Sequence, residues 1–184
     1  MYTIDGQGWL QPTKHCASPN YNSRPLATEI DLLVIHNISL PAGQFGGEYV
    51  EALFCNRLDC AAHPSFSELI NLEVSAHLFI DRDGAVTQFV SLHDRAWHAG
   101  VSRFQDRENC NDFSIGIELE GTDTLPYTGN QYEQLAAVTR ALWDYFPALT
   151  SERIVGHSDI APLRKTDPGP AFDWARLRRL LAVN

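Results

Sequence analysis

Four stretches of this chain carry hydrophobic patterns strong enough to predict elements. Residues 30–38, IDLLVIHNI, are almost uninterruptedly apolar. Such a run predicts a strand buried on both faces, since a strand with one face in water alternates instead. SAHLFIDRDGAVTQFV (75–90) does alternate, on either side of an Asp83-Gly84 pair, and predicts a hairpin. FSIGIELEG (113–121) predicts another strand, with Ile115, Ile117 and Leu119 on one face and Ser114, Gly116, Glu118 and Glu120 on the other. From Thr128 onward the period lengthens. Thr128 with Gln131 reads as a capping box, and Leu135, Val138, Leu142 and Tyr145 form a helical stripe that must end before Pro147.

Shorter signals complete the outline. Residues 46–54 predict a short helix, RIVG (153–156) a short strand, and FDWARLRRLL (172–181) a closing amphipathic helix. Residues 1–28, with Pro12, Pro19 and Pro25, predict an irregular surface wrap. Strands mixed with helices predict an α/β fold in which helices flank a mixed central β-sheet. With 184 residues and neither repeat nor linker, a single domain over 1–184 is expected.

Composition narrows the functional classes. A net charge of −9 argues against nucleic acid, whose phosphates demand a basic surface. No apolar run is long enough to span a bilayer, so no membrane partner is expected. MYTIDGQGWL lacks the basic and apolar regions of a secretory leader, which makes the cytoplasm the expected compartment. The four cysteines show no CxxC spacing; Cys55 and Cys60 are closest in sequence, and reduced, unpaired thiols are expected.

The candidate chemistry lies where strands end. His36 closes the apolar run and His157 follows RIVG directly, so the two imidazoles converge if those strands are neighbours. Catalytic zinc takes three protein ligands and keeps one position open. Asp159 shares a face with His157 in an extended chain, and its ordinary role is to cap the turn at 160–162. Asp167 can return through a loop stiffened by Pro162, so spacing leaves the two aspartates tied. Lys165 is either a solvated charge or the partner of a developing oxyanion. Glu118 is a candidate general base, yet Glu120 has the same parity. Trp97 and His98 offer an aromatic platform for a sugar or peptide, or simply anchor a loop.

VIHNISLPAGQFGG, AWHAGVS, CNDFSIGIELEGTD and GHSDIAPLRKTDPGP, in that order, resemble the zinc-dependent N-acetylmuramoyl-L-alanine amidases. That family also contains phage lysozymes and the peptidoglycan recognition proteins. The resemblance implies zinc at one edge of the sheet, one ion held by His36, His157 and Asp167, with Asp159 left a turn role. It implies Glu118 as the base and Lys165 as the oxyanion partner. It further implies hydrolysis of the amide between the lactyl group of anhydro-N-acetylmuramic acid and the L-alanine of a soluble, recycled stem peptide. Asn37, Trp97 and His98 are the expected substrate contacts. Glu73 and Asn109 stand where relatives carry basic residues, which makes Arg107 the candidate for a peptide carboxylate. Ala76, beside His77, replaces a tyrosine and fits the branch in which the glutamate moves the proton. Two rivals remain: an amidase acting on intact wall, and a peptidoglycan-binding module without activity. The complete set of ligands, base and lysine favours an enzyme, and a monomer is expected.

Overall fold

A computed structural model describes residues 1–182. Its centre is a six-stranded sheet. The strands are β1 (Lys14–His15), β2 (Leu32–Ile38), β3 (Leu78–Ile80), β4 (Val86–Gln88), β5 (Ser114–Glu120) and β6 (Ile154–Gly156). Their order across the sheet is β6-β2-β5-β3-β4-β1. Only β3 and β4 run antiparallel; every other neighbouring pair is parallel. The α-helices among the described residues are α1 (Tyr49–Phe54), α2 (Gly129–Tyr145), α3 (His157–Ile160) and α4 (Trp174–Ala182).

The apolar run of β2 has the predicted cause. It lies between β6 and β5, and residues 32–36 are buried. Leu33 and Ile35 join Ile115, Ile117 and Leu119 against Leu135, Val138 and Leu142 of α2 and Leu177 of α4. Leu32 and Val34, on the opposite face, pack with Ala99, Cys110, Phe113 and Ile160. Both halves of the α2 capping box form: Thr128 Oγ1 accepts from the Gln131 N–H, and Gln131 Oε1 accepts from the Thr128 N–H, each at 3.1 Å. Such a cap contributes about 1 kcal/mol.

Several expectations are corrected in detail. The hairpin strands are shorter than their alternating pattern, spanning Leu78–Ile80 and Val86–Gln88, although His77 still donates to Gly116 O (3.1 Å) and accepts from Phe89 N (2.9 Å). Tyr145 is half-buried at the edge of the stripe, its hydroxyl 2.9 Å from His93 Nε2. The first 28 residues wrap the surface but also supply edge strand β1, seated beside β4. Buried Gln88 fastens this wrap by accepting from Leu10 N (2.7 Å) and donating to Gly8 O (2.8 Å). Residues 157–160 form one helical turn instead of an extended segment. Among the described residues no helix is long and apolar enough to cross a membrane.

Candidate active site

Register builds the site. Glu118 pairs with His36 across β5 and β2, and Gly156 pairs with Ile35 across β6 and β2. His157, next after Gly156, therefore comes level with His36. Strands in a sheet stand about 4.8 Å apart, so paired residues on one face are immediate neighbours. The row His157–His36–Glu118 lies at the C-terminal ends of three parallel strands, where open sheets bind their ligands.

Asp167 reaches this row from the 161–167 loop, whose return Gly156 permits. A Cβ on Gly156 would stand 2.7 Å from Pro168 Cδ, so any side chain there would push the loop away. Ser158 N donates to Asp167 O at 3.0 Å and anchors the segment. Asp159 instead turns back to accept from Gly156 N at 2.7 Å, holding the start of α3. The tie between the aspartates is thus broken by position: one reaches the histidines, the other holds the turn.

His36 Nδ1, His157 Nδ1 and Asp167 Oδ2 form a triangle with sides of 2.9, 3.1 and 3.2 Å. Zinc bonds of 2.0–2.1 Å in a tetrahedron space their ligand atoms about 3.3 Å apart, a few tenths wider. The outer nitrogens decide which tautomers face inward. His157 Nε2 donates to Ala99 O at 3.1 Å, leaving Nδ1 bare. For His36 the polarity runs through three residues. Ser114 Oγ donates to Cys110 O (2.6 Å), since a carbonyl can only accept. Ser114 therefore accepts from His98 Nε2 (3.2 Å), and His98 Nδ1 accepts from His36 Nε2 (2.9 Å). Both inward nitrogens then carry lone pairs, as metal ligation requires. Burial holds His36 down, to about 4, against the opposing pull of Asp167. Two bare imidazoles around a carboxylate fit a divalent cation.

The two glutamates separate equally clearly. Glu120 accepts from the backbone N–H groups of Gly46 (2.5 Å) and Arg82 (3.0 Å), so it ties loops together. Glu118 Oε2 is sealed from solvent with no hydrogen-bond partner. Burial pushes its carboxyl well above the usual range, Asp167 adds to the push, and Lys165 opposes it. A buried polar atom without a partner is rare in a folded protein and marks Glu118 out from Glu120. Lys165 is exposed and makes no ion pair among the described residues. It borders a cleft of about 600 Å3 with Asn37, Thr122, Asp123 and Asp167.

The other expected contacts scatter. Asn37 lines the cleft and donates to Asp123 Oδ1 at 2.8 Å. Trp97 commits its indole N–H to Asn22 at 2.9 Å. His98 sits behind His36, over Gly116, with its Nδ1 2.9 Å from His36 Nε2, and is not among the residues that line the cleft. Arg107 pairs with Asp31 at 2.7 Å and stacks 3.6 Å above Phe113. Asp31 precedes β2, so at about 3.3 Å per residue Arg107's partner lies roughly 16 Å along the strand from His36. The structure therefore does not bring Arg107 to the triad. Sequence pattern assigns no site role to Ser114, the Ala99 carbonyl or Asp123, which the fold brings to the site. Ser114 at least shares the polar parity of Gly116 and Glu118, a signal that was present.

A His-His-Asp donor set beside a buried carboxyl and a cleft-lining lysine is the kind of arrangement that metal-assisted hydrolases use. Residues 26–170 match the family model for N-acetylmuramoyl-L-alanine amidase, and the chain belongs to that family. It is 60% identical over 176 residues to the 1,6-anhydro-N-acetylmuramyl-L-alanine amidase AmpD of Escherichia coli K12, covering 96% of each chain. Its structure is similar to the crystal structure of a selenomethionine derivative of AmpD (TM-score 0.94, 57% identity, 97% of this chain and 98% of that one). It is also similar to the E. coli amidase AmiD, solved with the substrate anhydro-N-acetylmuramic acid-L-Ala-D-gamma-Glu-L-Lys (TM-score 0.61, 25% identity, 96% and 65%). The protein is an amide hydrolase of this family, with the mixed α/β architecture its relatives share.

Proposed function

We propose that this enzyme hydrolyses the amide between the lactyl group of 1,6-anhydro-N-acetylmuramic acid and the L-alanine of the stem peptide. The substrate is a small soluble muropeptide released by wall turnover, and the compartment is the cytoplasm. The observation carrying the chemistry is the partnerless Glu118 carboxyl, one strand from His36 and sensitive to both Asp167 and Lys165. Identity to AmpD over nearly the whole chain supports the substrate. The single domain 1–184 acts as a monomer.

His36, His157 and Asp167 hold one zinc ion. Zinc supplies Lewis-acid polarisation of the amide carbonyl and acidifies water. Glu118 takes the proton of the attacking water and returns it to the leaving amine; its upward shift suits a group that must do both. Lys165 aims its ammonium at the oxygen that becomes negative, an interaction stronger in the transition state than in the ground state. Asn37, held by Asp123, lines the cleft where the substrate lies. Trp97 ties its indole to Asn22, His98 acts through His36, and Arg107 belongs to the far end of the sheet.

The test is to incubate the purified protein with anhydro-muropeptide and with intact sacculi, each with and without chelator. Free stem peptide from the muropeptide alone, lost with chelator, is the expected result. Release from sacculi at a comparable rate overturns the assignment in favour of a wall-acting amidase.

A further inference from the structure

Cys55, the cysteine nearest Cys60 in sequence, has a different neighbour in space. Its Sγ lies 3.4 Å from Cys16 Sγ, across 39 residues of chain, and both side chains are partly exposed. Cys60 turns to Leu58 O, and Cys110 is buried in a separate cluster with Leu32, Val34 and Phe113. The backbone around the pair is already held. Cys16 N donates to Gln88 O beside strand β4 (2.9 Å), and Ser18 Oγ donates to Phe54 O at the end of α1 (2.5 Å). Asn20 and Asn56 exchange two side-chain hydrogen bonds of 2.8 and 2.9 Å, while Asn20 also reaches Val74 O. Two segments clamped on both sides of the sulfurs lose little freedom on being joined.

We propose that Cys16 and Cys55 form a two-thiol modification site that a low-molecular-weight disulfide converts to an intramolecular disulfide. Neither cysteine takes part in the amidase chemistry. Burial, with Cys55 and Glu51 alongside, pushes the Cys16 thiol up to about 12. The Arg57 guanidinium, 3.6 Å from Cys16 Sγ, supplies positive charge beside the pair, while Lys14 and Arg57 both pair with Glu51. The Cys55 sulfur attacks one sulfur of the external disulfide and breaks its S–S bond. One small thiol leaves with the Cys55 proton. The Cys16 sulfur then attacks Cys55, and the second small thiol leaves with the Cys16 proton. The protein loses two hydrogens and the external disulfide is reduced to two thiols.

The bond ties edge segment 14–18 to the C-terminal end of α1. That helix continues the 39–48 loop, which lends Ser39 and Ala42 to the cleft. Closing so long a loop constrains the unfolded chain strongly.

The probe is glutathione disulfide, added to the folded full-length protein before alkylation and peptide mapping. The expected product has lost two hydrogens, links the Cys16 and Cys55 peptides, and leaves Cys60 and Cys110 alkylated. Its thermal midpoint rises by several degrees and falls back with reductant. In Cys16→Ser the glutathione adduct on Cys55 persists, because no resolving sulfur remains. A Cys55–Cys60 link, a persistent adduct in the unsubstituted protein, or four unmodified cysteines overturns the proposal.

Discussion

Gly116→Ala tests whether the polarity chain behind His36 governs the metal. A Cβ there would lie 2.4 Å from His98 Cγ, 2.6 Å from Nδ1 and 2.7 Å from Cδ2. Ordinary contact begins near 3.4 Å, so the ring must retreat by 1.0 Å (3.4 less 2.4). His98 holds bonds of 2.9 Å to His36 and 3.2 Å to Ser114, and a retreat of that size takes at least one beyond hydrogen-bonding range. Overpacking of this kind costs about 1–3 kcal/mol of stability. Loss of the bond that orients a ligand weakens metal binding by roughly 10–100-fold, or about 1.4–2.7 kcal/mol. Zinc titration against a competing chelator, on the unsubstituted protein, Gly116→Ala, His98→Ala and the double variant, measures this directly. Both single variants should weaken zinc by the same order. The double variant should be no worse than His98→Ala, since the new methyl then meets empty space. Folded Gly116→Ala protein with undiminished zinc affinity, or penalties that simply add, refutes the reasoning.

Lys165→Ala should keep its zinc but lose on the order of a hundredfold or more in kcat, read from steady-state cleavage of anhydro-muropeptide; near-normal turnover removes the lysine from the mechanism. Glu118→Gln should also retain zinc while losing about 10²–10⁴ in kcat, and an activity close to that of the unsubstituted enzyme would reassign the base. The metal-free protein should become less stable to denaturant as pH falls from the ordinary histidine range, about 6.5, towards 4. His36 titrates lower when folded than when unfolded, so the unfolded chain takes up the proton first. A denaturation midpoint that stays level over that interval contradicts the buried neutral imidazole. Thr128→Ala, which removes half the capping box, should lower stability by about 1 kcal/mol without changing kcat.

What could be read along the chain was whatever depends on neighbours in sequence. The period-two and near-continuous runs at 30–38 and 113–121 marked the strands, and Thr128 with Gln131 marked the start of α2, because pleat and cap are local geometry. Parity placed Ser114, Gly116, Glu118 and Glu120 on one face, and motif resemblance pointed to a zinc amidase. Neither parity nor spacing could separate Glu118 from Glu120. That depended on the amides of Gly46 and Arg82, brought from distant loops to one carboxylate and withheld from the other. Spacing left Asp159 and Asp167 tied, because a loop's return path is set by what it packs against, here the bare backbone of Gly156 against Pro168. In sequence Cys55 lies nearest Cys60, whereas the clamp between residues 18–20 and 54–56 sets it beside Cys16. Strand register alone levelled His36 with Glu118 and brought His157 beside them. Sequence thus determined which residues carry donors and which faces are apolar, since these follow from side-chain chemistry and local period. Tertiary structure decided which donors meet, since contact across a sheet depends on the pairing of strands far apart in the chain.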